Sequence, residues 1–360
     1  MASIREGAMQ ADITELFDPT SRYAIGVDIG GTKINAGIVT YELFDPASNY
    51  AIGVDIGGTK INAGIVTYEG EILLSKSLET LAGQENTVHR VQGVIQRLLE
   101  GASKLWPDIR YRGIGIGSAG QVNWQEGSIR HASELIPGYS GAQLRSILEQ
   151  QYGMTVWVDN DVNVIALAEM RLGVGLGKRQ FICLALGTGV GGAVVADGRL
   201  LHGAWGGAGE LGHMSVDFRG IPCICGARGC LEQYASGTSI ARRMRERLAA
   251  RGKPDEQVNA RDVFALWQAG DPLAASVMDE TIAALGTAIT SLIHIFNPEL
   301  IIIGGGVAES GPQLVDRLRQ EVSRLAMPSF AEGVQIETAR LGNWSGMIGA
   351  ALQAWEYGKQ

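Results

Sequence analysis

No apolar run of 18 residues or more occurs in the chain; the longest candidate, around 289–307, is broken by Asn297, Pro298 and Glu299. A transmembrane helix is therefore not expected. The opening stretch MASIREGAMQAD has no apolar core and no secretory pattern, which makes a cytoplasmic protein the expectation. Long basic runs are missing too, and the net charge is −8. Both argue against nucleic acid and against an anionic membrane as partners. Cysteine is scarce: there are four, three of them within eight positions. An odd cluster of three suits metal ligation better than a disulfide framework. Cys183, alone in the apolar run FICLAL, reads as core. Two phosphate-binding signatures are absent as well. Nothing fits GxxxxGK[ST], which excludes a P-loop, and no GxGxxG leads into a helix followed by a distant acid, which argues against a Rossmann unit.

Glycine, by contrast, is abundant. The 50 glycines in 360 residues are roughly double the usual share, and they cluster in short motifs rather than in a linker. With 46% hydrophobic residues the chain can bury a sizeable core, and its length suits about two domains.

Segment Glu15–Tyr41 recurs as Glu42–Tyr68, differing only at Thr20/Ala47 and Arg22/Asn49. Solenoid repeats come in threes or more and diverge, so a near-perfect pair reads as a recent duplication or an artificial one. Each copy spells strand, glycine turn, strand, with VDIGGTK at Val27–Lys33 and Val54–Lys60. Only the second copy runs directly into EGEILLSKSLET, the next strand of a meander. Seating the first copy in the sheet would make the second an excursion of 27 residues, costing about 3 kcal/mol of closure entropy. Seating the second leaves no loop to close. Asp55–Lys60 is thus the expected working turn, and residues 1–49 an N-terminal extension.

Further along, Val88, Val91, Ile95, Leu98, Leu99 and Ala102 share one helical face. RGIGIGSAG reads as a buried strand entering a turn, Gly141–Tyr152 as a helix, TVWVDND as a strand, and DVNVIALAEMRLG as a helix. The second half repeats the logic with FICLALGTGVGGAVVADGRLL as strand, turn, strand. Helices come next near Ser239–Arg251 and Pro272–Phe296, then the strand LIIIGGG, a helix from Pro312, a strand within VQIETARL and a last helix from Ser345. The sum is an α/β protein of two lobes, 50–160 plus 345–360 and 161–344, with a ligand cleft between them.

Three glycine turns are candidates for gripping phosphate: Asp55, Gly57, Gly58, Thr59 and Lys60; Gly187, Thr188 and Gly189; and Gly304, Gly305 and Gly306. Without a Cβ, backbone N–H groups approach a phosphate closely. Asp55 is placed to orient hydrated Mg²⁺. Any one turn alone is as well read as a tight hairpin; together they point to nucleotide binding. The stretch from residue 210 to 232, GELGHMSVDFRGIPCICGARGCLE from Gly209 on, supplies His213, Cys223, Cys225 and Cys230. One imidazole and three thiolates close a tetrahedral zinc site with no open position, so the metal would be structural.

The second DIGGTK, then GIGSAGQV, VDNDVN, LGTGVGG, GELGH and CxCGxxGCLE, in this order, resemble the ROK family of repressors, open reading frames and sugar kinases. The resemblance runs from about Tyr50 to the C-terminus. It implies the actin-like, hexokinase-type (ribonuclease H-like) fold, a homodimer or homotetramer, and transfer of the ATP γ-phosphoryl to a hexose or hexosamine hydroxyl, commonly the 6-OH. It puts Asp161 at the position of the catalytic base. Asn160, Glu210, His213 and Glu232 fall at sugar contacts, and Gly120 where a turn touches the sugar. Two departures stand out. Glu134 occupies a place where the family often has Asn, and Trp344 and Ser345 stand where it usually has Asp and Ala. Read without the resemblance, Asp161 is equally well a helix cap. Glucose, mannose, fructose, allose and N-acetylmannosamine all stay open as substrates. The alternative function is a sugar-sensing or sugar-binding relative without catalysis, though the 22 residues before the first YAIGVDIGGTK are too few for a helix-turn-helix domain.

Overall fold

The structure, a computed structural model, describes residues 23–29, 34–40, 49–132 and 136–358. It divides into two units, Met1–Asn49 and Tyr50–Gln360. In the first, β1 (Tyr23–Ile29) and β2 (Ile34–Thr40) form an antiparallel pair in which Tyr23 faces Thr40. In the second, β3 (Tyr50–Ile56) and β4 (Lys60–Thr67) repeat that register, Tyr50 facing Thr67. Identical sequence gives the same hairpin twice, and the chain downstream of each copy decides its place. β4 runs on into β5 (Ile72–Glu79), and α1 (Thr87–Leu105) then carries the chain across to β6 (Ile114–Ser118), parallel to β3. The second copy therefore sits inside a larger sheet, whereas among the described residues β1 and β2 pair with each other alone.

After β6 comes a small hairpin, β7 (Gln121–Asn123) and β8 (Ser128–His131), which the alternation pattern did not announce. Helix α2 (Leu144–Tyr152) is next, shorter at its start than expected, then β9 (Val156–Asn160) and α3 (Asp161–Leu172). The sheet order is β5-β4-β3-β6-β9. The second half repeats this plan. β10 (Phe181–Leu186), β11 (Val190–Ala196) and β12 (Arg199–Leu200) form a meander. Helices α4 (Glu232–Ala235), α5 (Gly237–Ala250), α6 (Ala260–Gln268) and α7 (Pro272–Phe296) lead to the parallel strand β13 (Leu300–Gly304). Then come α8 (Pro312–Leu325), α9 (Pro328–Ala331), β14 (Gln335–Thr338) and α10 (Ser345–Glu356). The order β12-β11-β10-β13-β14 matches the first sheet strand for strand. Two such sheets, each a meander plus two parallel strands, are the actin-like, hexokinase-type fold. No helix among the described residues is long and apolar enough to cross a membrane.

Local chemistry explains the best-marked elements. Asp271 caps α7 by accepting from Leu273 N and Ala274 N (2.9 and 2.8 Å), Pro272 opens it, and Asn297 ends it in the left-handed conformation. In α1 the buried stripe is Thr87, Val91, Val94, Ile95, Leu98 and Ala102; Val88 and Leu99 lie at its margins and are only partly covered.

Helix α10 packs on β3, β4, β6 and α3. Glycine makes that approach possible: a Cβ on Gly53 would lie 2.0 Å from Met347 O, one on Gly115 1.7 Å from Ala350 O, and one on Gly349 1.8 Å from Val164 O. Buried Glu169 of α3 accepts N–H bonds from Val174, Arg340 and Leu341, tying α3 to the segment before α10. Cys183 is buried in an apolar cluster with Leu167, Phe181, Ile302 and Ala351.

Candidate active site

Strand β9 ends at Asn160 and α3 begins at Asp161. The cap is Asn160, not Asp161: its Oδ1 accepts from Val162 N (2.9 Å) and Asn163 N (3.3 Å), and its Nδ2 donates to Gly120 O (3.1 Å). Gly120 has φ +99°, and a Cβ there would meet His131 O at 2.7 Å, so only glycine fits this turn. Asp161 Oδ1 shares the Val162 N–H (3.0 Å), and among the described residues its second oxygen makes no capping bond. Burial raises its carboxyl pKa to about 6; the Val162 N–H opposes the rise and the charge of Glu210 adds to it. Hydrogen bonds at the helix start favour the anion, but burial outweighs them.

Asp55 at the end of β3 is pushed further, to about 7, by burial and then by the charge of Asp161, with an Asn62 hydrogen bond pulling down. Among the described residues Asp55 has no ion-pair partner. Neighbouring acids without a counter-charge fit a divalent cation.

Glu210 is exposed on the loop after β12. Glu232, opening α4, spends one oxygen on Val190 N (3.0 Å), at the exit of the Gly187–Gly189 turn. A Cβ on Gly189 would lie 2.5 Å from that oxygen, so this glycine makes room for a carboxylate rather than only for a phosphate.

The four candidate metal donors come together. His213 Nδ1 lies 3.7 Å from Cys223 Sγ, Cys225 Sγ lies 3.5 Å from Cys230 Sγ, and all four ligand atoms fall within 4.8 Å of one another. A zinc tetrahedron with bonds of about 2.3 Å has edges of about 3.8 Å, so the set fits the ion. Gly226 and Gly229 carry φ of +91° and +66° where the loop doubles back.

The glycine turns line two cavities. One of about 560 Å³ is bounded by Gly187, Thr188 and Gly306 together with Thr238, Arg245, Asn259 and Arg261. The other, about 160 Å³, joins Asp55 to Gly304, Gly305, Asn343, Ser345 and Gly346. The Gly304–Gly306 turn thus touches both. Gly305 has φ +85°, and a Cβ on it would lie 2.5 Å from Leu186 O. Gly57, Gly58, Thr59 and Lys60 close the β3–β4 hairpin, with Gly57 N donating to Lys60 O (2.9 Å), and line neither cavity. Ser345 is buried beside Asp55 while Trp344 is 42% exposed. Glu134 lies outside the described residues.

Sequence reasoning missed the α5 and α6 side of the larger cavity. The Asn259/Asp262 capping box was a readable signal for α6. It also missed Asp159, buried one residue before the cap, whose Oδ2 bonds His202 Nε2 (2.7 Å) and whose Oδ1 accepts from Asn160 N and Asn163 Nδ2 (both 2.8 Å).

Residues 51–356 match the ROK family. The chain is 38% identical over 341 residues to a glucokinase of Halalkalibacterium halodurans, covering 92% of this chain and 94% of that one. It is 36% identical over 340 residues to a glucokinase of Thermotoga maritima, with 91% and 95% covered. Among solved structures it resembles a ROK family glucokinase from Streptomyces griseus in complex with glucose and AMPPNP, with TM-score 0.73, 32% identity, and 85% of this chain and 99% of that one covered.

Proposed function

The chain belongs to the ROK family, and from that premise we propose that it moves the γ-phosphoryl group of ATP to the 6-hydroxyl of glucose, with Asp161 as general base. It is an ATP-dependent sugar kinase: glucokinase relatives at 38% and 36% identity and a nucleotide-analogue-bound neighbour at 32% match it over most of its length. The alternative of a sugar sensor without catalysis is not better supported: a ROK family transcriptional regulator and xylose repressors also match, at the lower identities of 27–29%.

The observation that carries the finer reading is Asp161 itself. It is a buried carboxylate, distinct from the helix cap Asn160, with its pKa raised to about 6 by burial and by the charge of Glu210. Such a group is mostly ionised at neutral pH yet basic enough to take a hydroxyl proton. Asn160 and Gly120 fix the turn around it; Glu210 and Glu232 offer acceptors to neighbouring sugar hydroxyls, and His213, its Nδ1 turned to the cysteines, offers its Nε2–H as a donor. A site that bonds hydroxyls rejects analogues lacking them. The larger cavity suits the nucleoside, and the Gly304–Gly305 edge with Asp55 suits its phosphates and hydrated Mg²⁺. The cation would supply charge neutralisation on the phosphates. Zinc would brace the loop between Glu210 and Glu232 without touching the chemistry. We expect a homodimer or homotetramer, read by sedimentation.

The test is ADP release with glucose, mannose, fructose, allose and N-acetylmannosamine, followed by phosphorus NMR of the product. Glucose should give the highest kcat/KM and a 6-phosphate. No stimulation by any hexose, or phosphate on another hydroxyl, would refute the reading.

A further inference from the structure

Behind β9, away from the glycine turns, lies a cavity of about 320 Å³ walled by Trp124, Gln125, Arg145, Trp157, Gln353 and Tyr357. It is far larger than the roughly 30 Å³ share of one water, and three walls are aromatic. Two features of its polar groups are unexplained by the fold.

The first is Gln353, which is 1% exposed. Its Nε2 donates to Ile116 O (2.9 Å) and Ala350 O (3.3 Å), which fixes the amide orientation. Its Oε1 is then left buried without a partner. An unmet buried acceptor costs about 1–3 kcal/mol, and Gln353 is one of the residues that line the cavity.

The second is Arg145. Its guanidinium donates to three backbone carbonyls, Val156 O (2.9 Å), Trp124 O (2.9 Å) and Gln125 O. Among the described residues it has no carboxylate within ion-pair distance. Carbonyls hold the group in place without cancelling its charge, and a guanidinium carries five N–H donors, so two remain.

We propose that this cavity is a second small-molecule site, taking a compact hydroxylated anion: the anion on Arg145, the carbon skeleton against Trp124 and Trp157, and a hydroxyl that reaches Gln353 Oε1 once a small shift of that amide opens it to the cavity. Occupancy is felt at the catalytic segment. Trp124 stacks on His202 (centroids 4.3 Å apart, planes at 20°), His202 bonds Asp159, and Asp159 bonds the backbone N–H of Asn160, the residue that caps the helix starting at Asp161.

Two sources share this chemistry, a hexose 6-phosphate and a hydroxydicarboxylate. The full-length protein, saturated with glucose and a non-hydrolysable ATP analogue, is titrated with glucose 6-phosphate, malate and inorganic phosphate by calorimetry. Steady-state rates are then measured with malate. Two variants accompany it: Gln125→Trp, which plugs the mouth from an exposed position, and Arg145→Gln. Binding of either organic anion, weakened roughly tenfold or more in both variants, supports the site, and malate, where it binds, should also change kcat at saturating glucose. Glucose 6-phosphate alone would identify product feedback, and malate alone an outside metabolite. The inference fails if neither binds, if inorganic phosphate binds as tightly as both, if binding survives Gln125→Trp, or if bound malate leaves kcat unchanged.

Discussion

Replacing Asp161 by Asn should separate stability from activity in opposite directions. Its carboxyl pKa is raised from 3.8 to about 6. Each unit is worth about 1.36 kcal/mol, so ionising this group in the fold costs on the order of 2–3 kcal/mol. Linkage gives the sign. A raised pKa means the native state holds its proton more tightly than the unfolded chain, so stability is full below the unfolded value and falls as pH rises through about 6. An amide carries no such charge. The Asp161→Asn protein should therefore be more stable than the parent at pH 8, by on the order of 2–3 kcal/mol, and nearly equal to it near pH 4. Turnover should fall about 10²- to 10⁴-fold at unchanged glucose affinity, the usual worth of a positioned base. Urea unfolding of the metal-free protein at both pH values, with glucose titration and ADP release alongside, measures all three. Equal stability changes at pH 8 and pH 4 would refute the electrostatic argument; retained turnover would remove Asp161 from the chemistry.

Cys225→Ser should remove one of four zinc donors, loosen the loop and raise the glucose Kd, with zinc content read by atomic absorption; an unaltered Kd in a zinc-free variant would contradict the bracing role. Asp55→Asn should abolish turnover and Asp28→Asn leave it intact; the reverse would seat the first hairpin copy in the active site. Gly115→Ala would set a methyl 1.7 Å from Ala350 O and should destabilise by roughly 1–3 kcal/mol or more, seen as a lower urea midpoint.

Where local chemistry carries the instruction, the sequence was legible. Helix α7 announces itself through Asp271-Pro272 at its start and Asn297 at its end, and the two strand–turn–strand units read directly from their glycines. The zinc donors are close enough in sequence that spacing alone gathers them. What escaped depends on chain segments meeting from afar. The larger cavity brings Gly187 to Asn259 and Gly306, and no local pattern encodes that. Asp159 looked like an ordinary strand residue because its partner, His202, is 43 positions away. Val94, too, joined the buried stripe of α1 only because β4 and β5 both pack against that helix.

The last helix has a consequence for synthesis. Strands β3 and β6 expose a groove floored by Gly53 and Gly115, and the helix that fills it ends at Glu356, some 300 positions after the first of those strands begins. While the ribosome is still translating the second half, that groove has nothing to cover it. The earlier lobe must wait, half-clad, until nearly the whole chain has emerged, so a stalled or clipped product lacking its final turns would expose apolar sheet surface to any neighbour.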